Sequence, residues 1–425
     1  MTLHGAEASS RTYAKNGADC ACCHRRAFVK GASAAALATL TSRRNASAQP
    51  ASPSADKPFR IDVHHHLSSP GFIEAIRSRK TGQIPLENWT PAKSLEDMDK
   101  GAVATAMLSI SEPSVNFGDD AAARALARET NEYGARLIAD HPGRFGMYAT
   151  VPLPDVEGSL REIAYALDTL RLDGICMMTD YRGKFLGDPS FGPVMEELNR
   201  RGAIVYTHPF RNDCCRNLVP DVFEPIIELG TDTTRTIASL MFSGTAAKFP
   251  DIKFIFSHAG GTAPYLMQRF TFLFNVRKDL QPRMPQGPAF YMQHFYYDTA
   301  SASTINPLVS LTRLVPPTQI LFGTDFPFLT AAGTAADLRQ TGLFDAGALR
   351  AIERDNAVRL MPRYRLDSEG SRRRPNHLTA LRTLHIAEAR HADGRSHCAK
   401  GRRRENDTDD PSRRRGRQDR PGGYH

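Results

Sequence analysis

The sequence predicts an α/β fold, a (β/α)8 TIM barrel, set between a leader and a basic tail. Three observations carry this. Eight short apolar runs alternate with segments of helical periodicity between Phe59 and Leu366. Most of the runs are continuously apolar rather than alternating, as in strands of a parallel sheet buried on both faces. Histidines and an aspartate stand where several of the runs end, which is where such barrels keep their chemistry.

In chain order the expected strands are 60–63, 104–110, 145–151, 174–178, 203–207, 252–257, 295–298 and 320–323. Between them, 120–140 places Ala123, Leu126, Ala127, Tyr133, Leu137 and Ile138 on one side of a helix, with charges opposite. The stretches 159–170, 191–200 and 233–248 show the same spacing. Eight βα units over about 300 residues suit a closed barrel better than an open doubly wound sheet.

The ends divide the chain into residues 1–57, 58–366 and 367–425. The formal charge is +9, but residues 1–57 hold eight basic against three acidic side chains and residues 367–425 hold fifteen against nine. The central body is therefore slightly acidic, at −2, and lacks the basic face a nucleic-acid-binding body needs. No apolar run is long enough to span a membrane. In the leader, Arg25-Arg26 precede Phe28 and Lys30, an alanine-rich run follows, and Ala46-Ser47-Ala48 gives the small-x-small pattern of a cleavage site. This resembles a twin-arginine signal peptide and implies periplasmic export, with a cytoplasmic location as the alternative. The tail, with Arg372-Arg373-Arg374 and two further arginine triplets, is too polar to build a core; only Leu378–Ile386 is apolar enough for a short helix. The seven cysteines form no paired C-x2-C pattern, so neither a disulfide framework nor a structural zinc site is expected.

The first strand runs into Asp62-Val63-His64-His65-His66. Alternate residues of a strand share a face, so His64 and His66 point together into the barrel mouth and His65 points away. Two imidazoles so placed make a natural pair of metal ligands. His208 ends the fifth strand, His258 the sixth and Asp325 the eighth, so all converge on one mouth. His141 and His294 precede the third and seventh strands, at the opposite end, and are expected to be structural.

The stretches I-D-V-H-H-H, Y-T-H-P, F-S-H-A-G-G and F-G-T-D-F-P resemble, in order and spacing, the amidohydrolase superfamily. More narrowly they are similar to its amino-carboxymuconate-semialdehyde decarboxylase branch, and Gly118-Asp119-Asp120-Ala121 with Asp232-Thr233-Thr234-Arg235 point to the 6-methylsalicylate decarboxylase group. The resemblance covers residues 59–365. It implies that His64, His66, His208 and Asp325 hold one divalent ion, Zn2+ or Mn2+, and that His258, with Asp325, does the acid/base work. The two-metal hydrolases of the superfamily bridge their ions with a carbamylated lysine at the end of strand four. Here that strand ends Met177-Met178-Thr179-Asp180, and Lys184 lies farther along the loop, so one ion is expected.

The implied reaction is non-oxidative decarboxylation of an aromatic or unsaturated carboxylic acid, a small-molecule partner; relatives are commonly homodimers. A mononuclear metal-dependent hydrolase of a lactone or amide is the alternative, because the same ligands activate water. Around the mouth, Trp89 is a candidate ring-stacking lid residue, Arg211 a candidate partner for a substrate carboxylate, and Phe326 with Phe328 candidate apolar lining for an aryl ring.

Overall fold

The computed structural model describes residues 58–365 apart from Asn217. The twin arginines, the Ala46-Ser47-Ala48 site, the arginine triplets and the 378–386 patch lie outside the described residues.

All eight expected strands form: β1 (Arg60–His66), β2 (Val103–Ser109), β3 (Phe145–Thr150), β4 (Gly174–Met178), β5 (Ile204–His208), β6 (Lys253–Phe256), β7 (Tyr296–Asp298) and β8 (Ile320–Leu321). Each pairs in parallel with the next in sequence. The ring closes because Val63 N donates to Phe322 O, Asp325 N to His64 O and His66 N to Phe326 O, at 2.8 to 2.9 Å. Every residue of β1 to β5 is buried, the burial on two faces expected of a parallel sheet. Histidines at the ends of β1 and β5 are thereby carried to the same rim as Asp325.

Helices cover the outside, and their starts follow local chemistry. Thr90 caps α1 (Pro91–Lys100), accepting from Lys93 N. Asp119 caps α2 (Asp120–Asp140), accepting from Ala121 N and Ala122 N. Asp155 caps α3 (Val156–Ala164), which therefore begins three residues before the apolar period that announced it; a π turn, Tyr165–Thr169, ends it. α4 (Gly192–Arg200) falls where expected. The helix expected over 233–248 is α5 (Pro225–Phe242), and it differs at both ends. Pro225 fits the first turn, where no backbone donor is needed, and Gly244 at φ 87° breaks the chain before a separate turn at Thr245–Lys248. α6 (Met267–Val276) follows β6.

A hairpin after β4 was not expected: Asp180–Tyr181 pair with Lys184–Phe185 directly after that strand. Arg182 and Gly183 both have positive φ, the conformation of a two-residue hairpin turn. The hairpin carries Lys184 outward, its Nζ 3.3 Å from Ser190 Oγ.

Candidate metal centre

Three neutral imidazoles can meet at one point only if each turns a lone pair inward, and the outer nitrogens decide whether they do. His64 Nδ1 lies 2.9 Å from Asp298 Oδ2, His66 Nδ1 3.3 Å from Ser109 O, and His208 Nδ1 2.9 Å from Pro209 O. Each partner only accepts, so each Nδ1 carries the proton and each Nε2 presents its lone pair. The Nε2 atoms of His64 and His66 face each other at 3.2 Å. Asp325 Oδ1 stands 3.1 Å from the first and 3.0 Å from the second. One ligand atom from each of His64, His66, His208 and Asp325 lies within 4.8 Å of the others, and all four residues are buried. Lone pairs and a carboxylate gathered so closely, without hydrogens between them, repel unless a cation stands among them. The donor set fits one divalent ion of the Zn2+ or Mn2+ type.

Charge points the same way. Burial pushes His66 down, and burial with the neighbouring imidazoles pushes His208 well down, so both are held in the neutral form a ligand needs. For His64 burial is outweighed by Asp325 and Asp298, which raise it to about 10. Asp325, buried as it is, is held well below the usual carboxylate range by His64, His258 and His66. A proton on His64 and a cation among the four groups are alternative ways of neutralising the same two carboxylates.

Asp325 turns its second oxygen elsewhere. Oδ2 accepts from Ser301 Oγ at 3.0 Å and lies 3.4 Å from His258 Nε2, which has no closer hydrogen-bond partner. His258, Ala259, Ser301 and Asp325 all hold left-handed backbone, with φ of 55°, 55°, 51° and 69°. Four such residues around one carboxylate mark a place where the fold carries strain to aim side chains.

A family model described as amidohydrolase matches residues 61–363. The chain belongs to the amidohydrolase family. Decarboxylase yanB of Aspergillus niger is 36% identical over 331 residues, covering 73% of this chain and 89% of that one. The 6-methylsalicylic acid decarboxylase of Penicillium expansum is 34% identical over 330 residues, covering 72% and 97%. Among solved structures, an amidohydrolase II superposes with a TM-score of 0.66 at 29% identity, covering 71% of this chain and 99% of that one.

Within this amidohydrolase the end of strand four is occupied by a contact of its own. The Thr179 hydroxyl donates to Asp232 Oδ2, which also accepts from Phe210 N at 3.2 Å. Thr179 and Asp232, on α5, thus tie β4 to the loop after His208. Among the described residues, His64, His66, His208 and Asp325 form the one group that could hold an ion.

The residues expected around the mouth fare differently. Arg211 is at the rim, but its Nε is 2.7 Å from Glu112 Oε1 and its backbone N donates to Glu112 Oε2. Gln83 Nε2 donates to the same carboxylate, so Glu112 gathers the loops after β1, β2 and β5. Trp89 is no lid: it is 3% exposed, part of the hydrophobic core and edge-on to Tyr133 of α2. Phe326 stacks flat on His65 at 4.6 Å rather than spreading its face over the mouth, whereas Phe328 stands edge-on to His66 at 6.0 Å. His141 and His294 lie at the C-terminal ends of α2 and of the helix Pro288–His294, each ahead of a strand, as expected of structural residues.

Sequence reading passed over Asp298, Ser301 and Glu112. Asp298 had a signal, since it is the acidic last residue of a barrel strand. Ser301 and Glu112 had none, because loop geometry alone brings them to the site.

Proposed function

We propose that this amidohydrolase removes CO2 without oxidation from an aromatic carboxylic acid bearing a neighbouring hydroxyl, with 6-methylsalicylate the first compound to test. Two facts support the reading: curated relatives above 30% identity are decarboxylases, and His258 Nε2 has no partner closer than the 3.4 Å Asp325 Oδ2. The first carries it, and the second places a proton donor beside the four clustered ligands. His64, His66, His208 and Asp325 would hold a divalent ion, which would supply Lewis acidity at the mouth. The chain supplies the proton. His258 gives it to the ring carbon bearing the carboxylate, the bond from that carbon to the carboxylate breaks, its electron pair returns to the ring and CO2 leaves. Solvent then restores the proton to His258. Asp325 Oδ2, fixed by Ser301, keeps a negative charge beside the imidazolium and sets its direction.

The purified full chain, loaded with Zn2+ or with Mn2+, is to be incubated with 6-methylsalicylate, salicylate, γ-resorcylate and model lactones while CO2 is measured. CO2 and the decarboxylated phenol are expected from at least one acid. Lactone turnover with no CO2 from any acid would refute the reaction. Arg211 is proposed as a rim contact for the substrate: Arg211→Met should raise KM while leaving kcat within a few fold.

Two further readings belong to the whole chain. Export through the twin-arginine route is supported by Arg25-Arg26 and Ala46-Ser47-Ala48; Arg25→Lys with Arg26→Lys should leave the protein in the cytoplasmic fraction. A homodimer is supported by α6, which packs Met267, Phe270 and Phe274 on the core but leaves Phe272, Leu273 and Val276 exposed.

A further inference from the structure

Asp298 is fully buried at the end of β7 and spends both carboxylate oxygens on the site. Oδ2 lies 2.9 Å from His64 Nδ1 and accepts the Tyr206 hydroxyl at 3.1 Å. Oδ1 accepts the backbone N–H of His258 at 2.8 Å and of Ala300 at 3.1 Å. The close approach of His64 is built in: a Cβ on Gly323 would stand 2.9 Å from both the Asp298 Cβ and the His64 Cβ, so only glycine leaves these two side chains together. His258, the residue Oδ1 holds, has the left-handed φ of 55°. A non-glycine residue keeps such a backbone only when its surroundings over-determine it.

We infer that Asp298 is a positioning residue that joins the two halves of the site, one oxygen fixing the tautomer and ring direction of His64 and the other fixing the strained backbone from which His258 reaches Asp325. It touches neither the reacting atoms nor the ion. The inference rests on the metal-centre reading above and makes separable demands for each oxygen. In Asp298→Asn the amide oxygen takes the place that accepts from His258 and Ala300, and the NH2 group meets His64 Nδ1. That nitrogen must then accept, the proton moves to Nε2, and the lone pair facing the other ligands is lost. In Asp298→Ala the His258 backbone also loses its anchor.

The test uses the full-length chain and zinc. Zinc affinity is measured by equilibrium dialysis, and the rise in melting temperature on adding zinc is measured alongside. Asp298→Asn is expected to bind zinc about 10- to 100-fold more weakly and to show a smaller zinc-induced rise. At saturating zinc it should recover most of kcat. Asp298→Ala should stay low in kcat at saturating zinc, with KM little changed, because no substrate contact has gone. Zinc affinity in folded Asp298→Asn equal to wild type would overturn the inference. So would equal kcat in the two zinc-saturated variants, or an Asp298→Asn chain that does not fold even with zinc, since Asp298 would then be only a structural carboxylate. The metal measurements need no substrate: a wild type that binds zinc but releases no CO2 refutes the reaction and leaves the role of Asp298 standing, whereas a wild type that binds no zinc overturns both.

Discussion

Three consecutive histidines on β1 do three different things, and the difference lies in what each outer nitrogen meets. His64 meets the Asp298 carboxylate and His66 the Ser109 carbonyl, so both offer Nε2 to the centre. His65 points the other way; its Nδ1 lies 2.9 Å from Asp62 Oδ2 and its Nε2 3.0 Å from Ser94 Oγ, while Phe326 covers its face. The three therefore have separable phenotypes. His64→Ala, His66→Ala and Asp325→Ala should lose bound metal by elemental analysis with folding retained. His65→Ala should keep the metal and lower the melting temperature, because it strips partners from buried Asp62 and Ser94 at about 1–3 kcal/mol. His258→Asn should keep both and lower kcat by about 10²- to 10⁴-fold, the usual worth of a positioned acid. Unchanged metal content in both His64→Ala and Asp325→Ala would remove the ligand assignment. At this scale the sequence was informative wherever a side chain's direction follows from strand alternation, as for His64 and His66. It was silent where direction depends on a contact between distant segments, which is why Phe326 seemed to face the mouth and in fact packs on His65.

At the scale of elements, strand positions were legible because burial on two faces leaves an unbroken apolar run, and most of the β1–β8 segments show one. Helix ends were less so, since a cap such as Asp155 or a break such as Gly244 acts outside the apolar period. The contact between α5 and the β4 and β5 loops was not legible at all, yet it carries a measurable charge effect. Asp232 is pushed up to about 6, chiefly by burial and further by Asp180, with Thr179, Phe210 N and Arg235 pulling it back. The folded chain therefore keeps the proton on Asp232 over roughly pH 4 to 6, where an unfolded aspartic acid gives it up. Its contribution to stability is fully present below about pH 4 and is lost as pH rises through about 6, an effect of roughly 2–3 kcal/mol. Asp232→Asn cannot lose a proton. The melting temperature of that variant relative to wild type should thus climb as pH goes from 4 to 6 and level off above. A constant difference across this range would show that Asp232 titrates alike in both states.

For the whole molecule, the eight-stranded barrel accounts for the position of the metal centre but leaves part of its own surface unexplained. The turn before α6 and α6 itself expose Tyr265 at 81%, Phe272 at 66% and Val276 at 53%, and the turn into α5 and its first turn expose Phe223 at 64% and Ile226 at 76%. Scattered apolar side chains are ordinary on a protein surface, but here Phe272, Leu273 and Val276 are exposed together on the face of α6 opposite Met267, Phe270 and Phe274, which pack on the core. Sequence periodicity could not reveal this, because an apolar residue facing a partner and one facing the core leave the same pattern. If the exposed face of α6 packs against a second copy through a two-fold interface, each substitution on it acts twice. Phe272→Glu places two charges at such an interface and should shift the sedimenting species from about twice the chain mass to the chain mass at micromolar concentration. A mild substitution distant from α6, such as Lys100→Gln on α1, should not shift it. Should wild type and Phe272→Glu both sediment at the chain mass, the dimer reading falls and the apolar face of α6 must have another partner.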